Sequence, residues 1–114
     1  MINYRENSIY YIDFSNIKKQ DEILKIINES TTYIRKQHIN SVLVMTNIEN
    51  MFFNSVIRSE FLDFLKGNKP YIKRSAIIGM SGLQRILVNG LMSVSGRNVR
   101  SFDNEISAKE YIIK

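Results

Sequence analysis

Two kinds of hydrophobic run alternate along this chain. Short runs rich in β-branched and aromatic residues predict strands, and between them apolar positions recur at intervals of three and four, the period of a helix. The stretch Ala76-Ile-Ile-Gly-Met-Ser-Gly-Leu-Gln-Arg-Ile-Leu-Val-Asn-Gly-Leu-Met-Ser-Val94 holds both patterns in sequence. It starts fully apolar, turns on Gly79-Met-Ser-Gly82 and leaves as an amphipathic helix, half of a βαβ unit. The remaining elements are its neighbours.

Residues 9–14, Ile-Tyr-Tyr-Ile-Asp-Phe, predict the first strand, and residues 1–8 an arm or a short edge strand. Asp21 suits the N-cap of a helix to about Gln37, with Ile23, Ile26, Ile27, Ser30 and Ile34 on its buried stripe. Residues 41–46 form a central strand covered on both faces. Asn54 or Ser55 caps a second helix to about Lys66, its inner face Ile57, Phe61, Phe64 and Leu65, and Gly67, Asn68 and Pro70 end it. Residues 71–78 are the third strand. Ser81 caps a helix over 82–95 with Leu83, Leu87, Gly90, Leu91 and Val94 on one stripe, where Gly90 would allow close approach to the sheet. Gly96 ends that helix, residues 98–102 give a last strand, and Asp103 or Asn104 caps a final helix with Ala108, Tyr111 and Ile112 inward.

Strands and helices alternate four times, so the expected class is α/β, one domain over 1–114 with right-handed crossovers and a mainly parallel sheet. Sites on such sheets lie beyond the carboxyl ends of the strands. Here those ends are the loops 15–20, 47–54, 79–81 and 102–104.

Charge adds an asymmetry. Residues 1–65 hold 7 basic and 8 acidic side chains, whereas residues 66–114 hold 9 and 3. Lys69, Lys73, Arg74, Arg97 and Arg100 form the candidate basic patch. Such a patch suits an anionic partner or a solvated surface. No recognition helix, dense arginine run or RNA-binding motif accompanies it, so nucleic acid is not the expected partner. The chain has no cysteine, which excludes disulfides, thiolate metal sites and cysteine nucleophiles. Its one histidine, His38, falls near the end of the first helix, where a surface role suits it, and no His–Ser–acid or His–metal arrangement is assembled. Neither a catalytic constellation nor a cofactor or metal motif is visible. Asp13, at a strand end, reads as a general base or as a loop-capping acid. The glycines of 79–82 lack the Lys-Ser/Thr tail of a P-loop, and tight-turn geometry accounts for both. No apolar run reaches the length of a membrane span or a signal peptide, so a cytoplasmic protein is expected. Met51-Phe52-Phe53 is either tucked into the core or an exposed, adaptable contact patch.

The motifs Gly79-Met-Ser-Gly-Leu-Gln-Arg-Ile-Leu, Gly90-Leu91, Phe102-Asp-Asn-Glu105 with Ala108, and Val42-Leu-Val-Met-Thr-Asn-Ile48 together resemble STAS domains. These are the SpoIIAA-like proteins typified by anti-sigma factor antagonists, and the likeness is to small stand-alone bacterial members. The resemblance implies a (βα)4 superhelix with strands neighbouring in sequence order, and a surface that often pairs with itself as a homodimer. It also implies a phosphorylatable serine at the start of the helix after the central strand, where Ser55 falls. The usual preceding acid is replaced by Asn54, and Val56-Ile57 stands where a small residue and Gly are usual. The function expected is a non-enzymatic regulatory module that binds a protein partner through Met51, Phe52, Phe53, Asn54, Ser81 and Gly82, with Ser55 as switch or simple helix cap. The alternative is a small apolar-ligand or lipid-binding domain using the same Met/Phe cluster and the basic C-terminal part.

Overall fold

The computed structural model describes residues 1–96 and 99–114, and of residues 83, 87 and 93–95 the backbone alone. The leading elements are β1 (Ile2–Tyr4), β2 (Asn7–Asp13), α1 (Gln20–Ile34), β3 (Val42–Asn47) and α2 (Ser55–Asn68). A 3-10 turn (Lys69–Tyr71) leads to β4 (Ile72–Ile78), α3 (Gly82–Ser95), β5 (Arg100–Phe102) and α4 (Glu105–Ile112). The chain is α/β, with a five-stranded sheet in the order β1-β2-β3-β4-β5. β1 is antiparallel to β2, and every other pairing is parallel.

Parallel neighbours in sequence order, joined by crossovers of one hand, put successive helices on one face. α2 accordingly packs between α1 and α3. Ile12, Val44 and Ile77 from the sheet meet Ile23, Ile27, Ile57, Phe61, Phe64, Leu65 and Leu91 in the larger core. The intervening strand positions point to the opposite face. There Ile9, Met45, Ala76 and Ile78 meet Ala108 and Ile112 of α4. β3 is thus covered on both sides, as its apolar run predicts.

Several boundaries differ from the sequence reading. Of the two readings of residues 1–8, arm or short edge strand, the structure shows the edge strand, which turns back into β2 as a hairpin. The two-residue turn at Arg5 and Glu6 has positive φ at both, 47° and 67°, the hairpin geometry that normally selects Asn-Gly. Glu110 of α4 holds it, with 2.8 Å to one Arg5 guanidinium nitrogen and a 2.7 Å hydrogen bond from the Tyr4 hydroxyl. Asp21 is not the cap of α1. The N-cap position is Lys19, whose side chain makes no capping bond, and Asp21 sits in the first turn, where its charge still favours the helix dipole. At the other end, Lys36 and Gln37 donate to carbonyls three residues back, so the helical spacing persists past Ile34 in tightened form.

α2 runs through Gly67 and Asn68 instead of stopping there. The Arg35 side chain lies over Gly67, where a Cβ would collide with it, and donates from Nε to the buried Asn68 Oδ1 at 3.0 Å. Gly90 is exposed, and a Cβ there would meet nothing within 4 Å, so it does not serve close approach to the sheet. Leu83, Leu87 and Val94 of the same stripe have side chains outside the described residues. Leu91 is buried as expected. Tyr111 is half-buried, with its ring against Phe102. Among the described residues no helix is long and apolar enough to cross a membrane.

Candidate functional site

Three loops meet beyond the carboxyl ends of β2, β3 and β4, and their lacing is made of asparagine, serine and glutamine. Asn47, the last residue of β3, accepts from the Glu49 backbone N–H at 3.0 Å and donates to the Tyr11 hydroxyl oxygen at 3.1 Å. Asn50 sits at φ 54°, a left-handed conformation that asparagine tolerates. Its side chain donates to Asn16 Oδ1 at 3.0 Å and accepts from Lys18 Nζ at 2.6 Å. The backbones of Asn16 and Phe52 donate across to Glu49 and Ile17. Gln84 completes a capping box with Ser81 and also donates from Nε2 to the Ile48 carbonyl at 2.9 Å. The third loop is thereby fixed to the second.

A cleft of about 760 Å³ lies among these loops. Its apolar wall is Met51, Phe52, Phe53 and Met80, and Lys18, Glu49, Asn50 and Gln84 give it polar edges. The Met51-Phe52-Phe53 cluster is divided rather than wholly in or out. Met51 is buried, Phe53 is half-buried with its ring 6.4 Å from that of Phe61, and Phe52 is 36% exposed. Val56, one turn on, is also exposed. Behind the cleft, Met51, Phe53 and Gln84 also line a small apolar cavity of about 30 Å³ between α2, α3 and the sheet.

The sequence-predicted surface is partly assembled. Met51, Phe52, Phe53 and Ser81 line the cleft. Asn54 lies behind it as the N-cap of α2, its Oδ1 accepting from the Ile57 N–H at 2.9 Å and its Nδ2 donating to Gln20. Ser55 is therefore the first residue of the helix and not its cap, and it is exposed. Gly82 does not line the cleft. A Cβ on it would meet open space, so turn geometry requires only one of the two glycines, Gly79 at φ 84°. Lys18, Glu49, Asn50, Met80 and Gln84 were not singled out by sequence. The Ser81-x-x-Gln84 spacing, a capping-box signature, was the available signal for the last of them.

Asp13 is exposed, and its Oδ1 accepts from both the N–H and the hydroxyl of Ser15, at 2.9 and 2.6 Å. That is the loop-capping role. His38 is exposed past the end of α1. Lys69, Lys73 and Arg74 gather in a groove at the opposite end of β4, and Arg100 lies nearby over the Tyr111 ring at 5.1 Å. Arg97 lies outside the described residues. Among the described residues no three His, Cys, Asp or Glu side chains gather as a metal site.

Burial raises the Tyr11 hydroxyl above its ordinary 10.0. The hydrogen bond from Asn47 opposes this, and the carboxylates of Asp13, Glu105 and Glu49 add to it. Tyr4 is raised too, chiefly because its hydroxyl donates to Glu110. Both phenols are favoured neutral in the fold. Stability from them is complete below pH 10 and falls as pH climbs through the folded values, because the unfolded chain ionises first. Urea titrations at pH 8 and pH 11 should show this loss, and Tyr11→Phe should flatten part of the slope. An unchanged slope in Tyr11→Phe would remove Tyr11 from the alkaline limb. Compared with protein-family models, curated proteins and solved structures, the chain matches none of them.

Proposed function

We propose that this is a STAS-like, non-enzymatic interaction module that seats an aromatic or aliphatic side chain of a protein partner in the strand-end cleft. One observation carries the reading. Phe52 stands exposed on a loop that is otherwise pinned by cross-loop hydrogen bonds. A rigid loop presenting an apolar side chain has little conformational freedom left to lose on binding. The strand order in sequence and the helix that follows the central strand support the STAS-like reading. Ser55, exposed beside Val56 at the start of α2, is the proposed switch. A phosphate there would meet the free N–H groups and positive dipole end of the helix, and would place charge next to an apolar contact.

The apolar-ligand alternative has the void behind the cleft in its favour. At about 30 Å³ it matches one water-sized body, whereas a cavity of about 150 Å³ is needed for benzene. A lipid chain would require α2 and α3 to part.

The test is selection of peptides from a display library against the folded protein. Enriched peptides should carry a bulky apolar anchor. Phe52→Ala should weaken them at least tenfold while leaving the urea midpoint unchanged, since truncating a central anchor removes about 1–2 kcal/mol or more. Equal binding by Phe52→Ala, or no enrichment, would sink the reading. A lipid-sized mass retained in native mass spectrometry would transfer the cleft to the alternative.

A further inference from the structure

The basic side chains gathered at the opposite end of β4 have no role in the cleft, and their arrangement is specific. Val42 pairs with Ile72, yet the next residue, Leu43, pairs with Arg74. Lys73 is thus one extra residue in β4, a bulge in a parallel pair, which is rare and re-aims side chains. Its consequence follows from the two-residue period of a strand. Without the extra residue, Arg74 would fall on the face shared by Ile72 and covered by the helices α1 to α3. With it, Arg74 joins the α4 face. It lines one groove with Lys69, Lys73 and Tyr111, and Ile72, Ser75 and Gly96 complete that groove from the side of α1 to α3.

That groove has a volume of about 260 Å³, and no carboxylate lines it. Among the described residues Arg5, Lys25 and Lys109 pair with Glu110, Glu29 and Glu105, and the other cations, Lys69, Lys73 and Arg74 included, have no carboxylate partner. What sets Lys69, Lys73 and Arg74 apart is that the three face one groove. Arg100 adds a further positive charge, held over the rings of Phe102 and Tyr111 at 5.9 and 5.1 Å. Unpaired like charges facing one concavity repel each other, and a multiply charged anion relieves that repulsion.

We propose that this groove is a binding site for a small phosphorylated compound carrying at least two negative charges. Arg74 supplies the planar fork that matches phosphate oxygens, and the two lysines supply mobile point charges. The class follows from shape as well as charge. A nucleic-acid track needs cations spaced along a backbone and free aromatic faces for bases. Here the cations converge on one hollow, and the neighbouring Tyr111 ring already carries Arg100.

Inorganic pyrophosphate, titrated into the isotope-labelled protein and followed by amide chemical shifts, tests this. Saturable shifts should map to residues 69–75, 96 and 111, leave the cleft loops still, and weaken as salt rises from 50 to 300 mM. Lys69→Gln/Lys73→Gln, which alters only exposed side chains, should lower the affinity at least tenfold. The proposal is overturned by shifts that do not saturate or fall elsewhere, or by unchanged affinity in that variant. It is equally overturned if a twelve-residue thymidine oligonucleotide binds the same residues tenfold more tightly than pyrophosphate. The outcome is independent of whether the strand-end cleft binds a protein.

Discussion

Gly79→Ala should be among the most damaging single changes in the chain, lowering the urea midpoint by roughly 2 M. Gly79 has φ 84°, and a Cβ built on it would lie 2.7 Å from the Glu49 backbone nitrogen and 2.8 Å from Asn47 Oδ1. Those two atoms are partners in the 3.0 Å hydrogen bond that turns the chain after β3. The added methyl would strike the middle of that bond, and neither side is the free end of a flexible chain. Left-handed strain and forced backbone movement together cost about 3 kcal/mol. The same displacement would swing the loop bearing Phe52, so partner binding should fall with stability. Gly82→Ala and Gly90→Ala are the controls. Each Cβ would enter open space, and Gly90→Ala should stabilise by up to about 1 kcal/mol through helix propensity. Equal urea midpoints for Gly79→Ala and the controls would show that the two loops are not braced against each other.

The contrast among these glycines shows what the sequence could carry. A Gly/Ser turn between an apolar run and an amphipathic helix marks a strand entering a helix, and that holds whichever glycine does the turning. The pattern cannot say that Gly79 abuts Glu49, because the contact spans two loops some thirty residues apart. Strands and helices were legible from period and capping residues, with Ser81 as a cap and Asn54 and Asn104 each as one of two candidates. The β1–β2 hairpin was ambiguous for a physical reason. Arg5-Glu6 lacks the residues that favour its turn, and the hairpin is held instead by Glu110 at the far end of the chain. The bulge at Lys73 was hidden likewise, since register is a property of two strands. Of the site, Met51, Phe52, Phe53 and Ser81 were visible as residues, and Met80 was not. The asparagine lacing through Asn16, Asn47 and Asn50 was not, because asparagines in loops are common and only the fold shows which ones meet.

Phe61 joins the fold to the site, and Phe61→Ala should remove about 3–5 kcal/mol of stability. The side chain is 9% exposed. Its ring lies 5.4 Å from that of Phe14, 5.9 Å from Phe64 and 6.4 Å from Phe53. It also lies between two small cavities of about 30 Å³ each, one behind the cleft and one against Ile12, Val44 and Ile77 with Thr46, Asn68 and Ser75 on its polar side, and it lines both. Truncation would merge them into a single, mostly apolar cavity on the order of the 150 Å³ that holds benzene. Benzene should therefore raise the melting temperature of Phe61→Ala and leave that of the wild type unchanged, because binding to the folded state alone stabilises it by mass action. A wild-type protein that benzene also stabilises would show that α2 and α3 already part readily, and would favour the apolar-ligand reading. A Phe61→Ala protein that loses only about 1 kcal/mol and ignores benzene would mean that Phe53 and Leu65 collapse into the gap. The apolar wall of the cleft would then be deformable, and a rigid Phe52 anchor could not be what a partner recognises.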